Sequence, residues 1–194
     1  MHKTLWLTSA AVLALLALAG LAVGSDERGG LWGARGSEEA RESRFSRADV
    51  PSVSFAPYTD ACGSCHLAYQ PGLLPARSWD RIMATLSDHF GDNAELDPAA
   101  NAEIRRYLAD NASDRTGFGR APAFARSVAA AEVPLRITDT PYFRHKHHEL
   151  PQRLVADNPQ VRSFSNCQAC HRNAEKGVYG EHDIVIAGYG RWDD

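Results

Sequence analysis

Cys62-Gly63-Ser64-Cys65-His66 and Cys167-Gln168-Ala169-Cys170-His171 contain between them every cysteine of this 194-residue chain. In each, two thiols three positions apart reach the two vinyl groups along one edge of a porphyrin, and the histidine that follows directs an imidazole at the iron. The spacing predicts two covalently bound c-type haems, tethered by Cys62, Cys65, Cys167 and Cys170, with His66 and His171 as proximal ligands. A thioredoxin-like disulfide in either motif needs a βαβ context, which is not found, and leaves both histidines unexplained. A zinc site built from all four thiols is disfavoured too, because the gap between the pairs far exceeds the roughly 15–20 residues of zinc ribbons.

The N-terminus reads as an export segment. His2 and Lys3 form a short basic region, and Leu5 to Val23 is apolar apart from Thr8, Ser9 and small residues. Ala22-Val23-Gly24 offers small residues for cleavage before Ser25, whereas an uncleaved stretch of this length, close to the ~20 residues that span a bilayer, would serve as a membrane anchor. In both cases the bulk of the chain is expected outside the cytoplasm, in the periplasm, with an inner-membrane tether if the segment is retained. Covalent haem attachment in bacteria takes place on that side of the membrane, so leader and motifs support each other. The formal charge of −3 and the dispersal of arginines among acids give no basic run for nucleic acid.

Without residues 1–24, about 170 residues remain, enough for one compact domain or two small ones. Two porphyrins bring large apolar faces, so helices can be short and loops long while enough area is still buried. The expected fold is mainly α: a loop-rich dihaem c-type cytochrome with short helices packed around two haems. Residues 25–49, rich in Gly, Ser, Arg and Glu, read as a flexible linker; 50–132 as a first haem module; 133–194 as a second, divided near Pro134. Val50 to Pro57 reads as extended. Ser78 is expected to cap a helix carrying Trp79, Ile82, Met83, Leu86 and His89 that Gly91 ends. Asp97-Pro98 opens a helix to about Asn111, Pro122 to Ala131 a short alanine-rich one, and Thr140-Pro141 another that stops before Pro151. Ile184, Val185 and Ile186 are too few to establish a sheet.

What fills the sixth coordination position tunes the potential and decides whether small molecules reach iron. Met83, the single methionine besides the initiator, fits an apolar helix face and reads as packing. His89 shares the face of Ile82 and Leu86 and is the expected distal ligand of the first haem, a capping role at a helix C-terminus being the alternative. For the second haem, Arg144-His145-Lys146-His147-His148 offers three candidates. His147 lies four residues after Phe143 and joins it on a buried face, so it is the choice, with His148 in reserve and His145 and His182 expected at the surface or on propionates. Crossed pairings of distal with proximal histidines stay open.

Tyr69-Gln70-Pro71-Gly72-Leu73-Leu74-Pro75-Ala76-Arg77-Ser78-Trp79, Asp88-His89-Phe90-Gly91-Asp92-Asn93-Ala94, Thr140-Pro141-Tyr142-Phe143 and Ser165-Asn166-Cys167-Gln168-Ala169-Cys170-His171 closely resemble the bacterial periplasmic dihaem cytochrome c family, whose members partner a small oxygen-binding haem protein. The resemblance spans roughly residues 58–186. It implies a mostly helical protein with two bis-histidine haems that passes electrons. It also implies ligation by the first motif, the histidine before Phe-Gly, the histidine in the helix after Thr-Pro and the second motif. These are His66, His89, His147 and His171.

Two imidazoles on one iron stabilise its ferric state and leave no open coordination site. An electron carrier rather than an enzyme is expected, with the haems close enough for fast exchange. A membrane donor such as a b-type cytochrome would supply electrons, and a soluble haem protein or terminal reductase would accept them through small, transient, partly steered contacts. The alternative is a dihaem enzyme such as a peroxidase, in which one haem keeps a position for substrate; known examples resemble a longer chain. A haem-based redox sensor is the third class.

Overall fold

The computed structural model describes residues 47–192. The expected leader or anchor (1–24), and the expected linker (25–49) as far as residue 46, lie outside the described residues.

As predicted, helices are short and loops long. The elements are α1 (Ala56–Cys62), α2 (Ala76–Ala84), α3 (Pro98–Asp110), α4 (Ala121–Ser127) and α5 (Pro141–Lys146), joined by irregular segments and single 3-10 turns. A minimal antiparallel pair, β1 (Val185–Ile186) with β2 (Gly190–Arg191), closes the described chain, with Val185 opposite Arg191 and Ile186 opposite Gly190. The apolar run at 184–186 therefore does pair, though over only two residues on each side.

Two helix starts follow local chemistry. Asp97 accepts hydrogen bonds from the Ala99 and Ala100 amides, 3.0 Å each, ahead of Pro98, and the Ile104 and Leu108 side chains of α3 are buried. Thr140 accepts from the Phe143 amide and donates to the Ile137 carbonyl at 2.7 Å. In both cases the side chain satisfies an amide that the helix itself leaves unpaired, while proline occupies a position needing no donor.

Four expectations are corrected. α2 begins at Ala76, and Ser78 is inside it and buried. The Ala76 amide is instead capped by Asp114 Oδ1 at 2.9 Å, from 38 residues further along the chain. α2 also ends at Ala84 rather than continuing to Gly91, because Thr85 turns its hydroxyl back onto the Arg81 carbonyl at 3.0 Å and adopts a non-helical conformation. α4 stops at Ser127 instead of near Ala131. There Arg77 draws the carbonyls of Ala129 (2.9 Å) and Glu132 (2.6 Å) away from a continuing helix. α1 begins at Ala56, so the last two residues of the stretch expected to be extended, Val50 to Pro57, are helical; Pro57 in the first turn was the signal.

α1, α2 and α3 enclose a first core of Tyr58, Leu74, Trp79, Ile82, Met83, Ile104 and Leu108. Met83 packs there, as expected. A second cluster gathers Val50, Leu73, Phe124 and Phe143, and a third Leu154, Val155, Val161 and Ile186. Bonds cross the expected 132/133 boundary: Tyr69 Oη donates to the Ser165 carbonyl at 2.8 Å and Gln70 Nε2 to the Ala174 carbonyl at 2.6 Å. Asp49, the last residue of the expected linker, donates its amide to the Gly177 carbonyl at 2.7 Å.

Gly119 is the tightest point of this anchoring. It sits at φ +54°, and a Cβ there would collide with the Asp49 carbonyl. Gly119→Ala is expected to destabilise the folded protein by about 2–3 kcal/mol, read as a lower urea midpoint at unchanged slope. An unchanged midpoint would show that residues 49 and 119 are not packed against each other.

Candidate haem sites

Cys62 is the last residue of α1, and the chain turns through Gly63 and Ser64 to bring Cys65 and His66 to the surface. None of the four cysteines is paired in a disulfide, so each is open to thioether formation. His66 Nδ1 lies 2.8 Å from the Leu67 carbonyl. Donating there, it leaves Nε2 for a metal, the usual way a backbone acceptor orients a ligating imidazole. Tyr69 stacks on the His66 ring with centroids 5.0 Å apart.

His89 is not on the helix expected to carry it. It follows a 3-10 turn and opens a tight reversal: its amide donates to the Asp92 carbonyl at 2.7 Å, and the Asp92 amide donates back to the His89 carbonyl. Phe90 (φ +59°) and Gly91 (φ +103°) fill the two central positions, both left-handed. Phe90 is strained there, and its ring is pinned between the edge-on His89 ring and the Arg136 guanidinium, 3.8 Å from its centroid. The turn aims His89 at His66, with ring centroids 6.2 Å apart and planes 21° apart.

The second site is more enclosed. Cys167–Ala169 form one 3-10 turn, and the His171 amide donates to the Cys167 carbonyl at 2.7 Å. Burial pushes the Cys167 thiol up to about 11 and the His171 imidazole down to about 4. His147 follows the last residue of α5, and its Nδ1 lies 2.9 Å from the Phe143 carbonyl. Phe143 stacks on its ring at 3.9 Å, the i,i+4 contact anticipated from sequence. Phe164 stands edge-on to both rings. His147 and His171 have centroids 6.2 Å apart, with planes at 77°. They face a cavity of about 340 Å³ whose walls include Leu73, Phe124, Phe143, Phe164, Ile186 and Trp192. His145 and His148 stack on each other at 5.9 Å and are exposed, as is His182.

Two imidazole nitrogens, each about 2 Å from one metal, with about 1 Å from nitrogen to ring centre, put the centroids about 6 Å apart. Both pairs have that separation, each beside a CxxC turn, and the second beside an apolar cavity suited to a porphyrin. His171 Nδ1 is buried without a hydrogen-bond partner, so this ring's orientation rests on its packing. A family model for dihaem cytochrome c matches residues 58–179.

The chain belongs to the dihaem cytochrome c family. It is 45% identical to a dihaem cytochrome c from Shewanella baltica, covering 71% of this chain and 97% of that one with a TM-score of 0.59. It is 42% identical to a dihaem cytochrome c from Rhodobacter sphaeroides, covering 67% and 100% with a TM-score of 0.60. No curated protein matches it. As a dihaem cytochrome c it binds two c-type haems covalently and is an electron-transfer protein. Bound haem would supply one-electron iron chemistry, and the residues described here are placed to hold, orient and shield it.

Sequence reasoning missed what lies between the two sites. Tyr179 stands edge-on to His171 at 5.3 Å and donates its hydroxyl to Gln70 Oε1 at 2.5 Å. Gln70 adjoins Tyr69, which stacks on His66. The neighbours of His66 and His171 are thus joined through Tyr69, Gln70 and Tyr179. Tyr69 and Gln70 fall within the runs that resemble the family, but nothing local to them shows a contact with residue 179.

Proposed function

We propose that this dihaem cytochrome c is a periplasmic electron carrier whose irons are both bis-histidine ligated, His66 with His89 and His171 with His147. The observation that carries this is the separation of 6.2 Å in both ring pairs, which uses both axial positions and leaves none for substrate. Carbonyl-anchored Nδ1 atoms on His66 and His147 support Nε2 as the metal-binding atom on each. The Tyr69–Gln70–Tyr179 connection supports rapid exchange between the haems.

The donor is a membrane protein such as a b-type cytochrome, and the acceptor a soluble haem protein or terminal reductase. The apolar segment Leu5–Val23 supports export and, if retained, an inner-membrane tether. No helix among the described residues is long and apolar enough to cross a membrane.

Visible spectra of the oxidised and reduced protein, with and without carbon monoxide, test this reading. Low-spin bands indifferent to the gas are expected for both haems. A high-spin band, or a Soret shift on gas addition, would mean an open iron and substrate chemistry of the peroxidase kind.

A further inference from the structure

Asp49 lies outside the segment matched by the family model, residues 58–179, yet it is held at four points. Its amide donates to the Gly177 carbonyl and its carbonyl accepts from the Arg120 amide, 2.7 Å each. Its Oδ1 accepts from Arg120 Nε at 2.7 Å and its Oδ2 from the Tyr179 amide at 2.6 Å. The ion pair is largely sheltered, with side-chain exposures of 18% for Asp49 and 31% for Arg120. Arg120 lines the second cavity, and its Nη1 approaches Tyr142 Oη at 3.4 Å. Both charges act on His171 with opposite sign, and Tyr179, which Asp49 fixes, stands against the His171 ring.

A sheltered ion pair is a weak source of stability, because desolvating both charges cancels much of their attraction. Beside a redox centre it has another consequence. Ferric iron carries one more positive charge than ferrous, so a nearby carboxylate favours the oxidised state and a nearby guanidinium the reduced state.

We propose that the Asp49–Arg120 pair sets the reduction potential of the second haem. Asp49 is the positioning residue that fixes Arg120 and offsets its charge beside His171. This rests on His171 and His147 ligating that haem.

Potentiometric titration of the full-length holoprotein tests it, the electrode supplying the single electron that converts ferric to ferrous iron. The two haems are distinguished by their ferric low-spin electron paramagnetic resonance signals, since their ligand planes lie at 21° and 77°. Asp49→Asn removes the negative charge and is expected to raise the second haem's potential. Arg120→Gln leaves the carboxylate unopposed and is expected to lower it. Each shift corresponds to about a tenfold change in the ferric-to-ferrous ratio at fixed poise, about 59 mV for one electron. The double variant is expected near the unmodified value, and the first haem near its own throughout.

A merely structural role would move both single variants in the same direction as water enters the cavity, and that outcome overturns the proposal. Shifts shared equally by both haems overturn it too. Carbon monoxide binding by the unmodified second haem would instead overturn the ligation on which it rests.

Discussion

His147→Ala is expected to convert one haem of two from low-spin and inert to high-spin and able to bind one carbon monoxide per chain. The His147 ring is the group facing His171 at 6.2 Å. On the proposed ligation, removing it would open a coordination position without touching Cys167, Cys170 or His171. The change is all or none, because the sixth bond is either formed or absent. About half of the low-spin absorption is lost, and the remainder, from the haem beside His66 and His89, is unaltered. His145→Ala and His148→Ala are expected to stay fully low-spin, since those rings stack on each other at 5.9 Å. If His147→Ala retained both low-spin haems, another imidazole would be the native or substitute ligand, and the pairing assigned to the second site would fail.

Replacing Cys167 and Cys170 together with alanine removes one haem from the mature protein, and the polypeptide mass falls by one porphyrin. Its effect on folding is local. A cavity of 340 Å³ left unfilled costs at most about 8 kcal/mol at ~24 cal/mol per Å³, which is comparable with the 5–15 kcal/mol that holds a typical domain together. The segment around the second site is therefore expected to collapse or unfold. Rapid proteolysis should fall between α5 and the C-terminus, while the first core of Trp79, Ile104 and Leu108 stays protected. Mass spectrometry reads the haem count and the fragments read the local unfolding. A haem-free second site as resistant to protease as the intact protein would show that its side chains pack without the porphyrin.

The parts of the candidate sites that were legible in the sequence are those fixed by contacts within a few residues. The two CxxCH turns, the caps at Asp97 and Thr140, and the stacking of Phe143 on His147 all arise from groups at most four positions apart. His89 was identified, but its support was misjudged. A helix face was expected to carry it, whereas a left-handed turn through Phe90 and Gly91 aims it. That conformation is unfavourable for phenylalanine in isolation, and the ring's place beside Arg136, 46 positions away, accompanies it only in the fold.

By itself, the sequence determined how many haems the chain binds, and it proposed which thiols tether them and which two histidines lie beside those thiols, because each set of atoms lies within five consecutive residues. Only the tertiary structure decided that α2 is capped by Asp114, that the His89 and His147 rings lie 6.2 Å from those of His66 and His171, and that Asp49 pairs with Arg120 and accepts from the Tyr179 amide. These contacts join residues tens of positions apart, 71 in the case of Asp49 and Arg120. Their strength depends on exclusion of water, which arises when the helices and loops close together and leaves no periodicity or spacing in the chain.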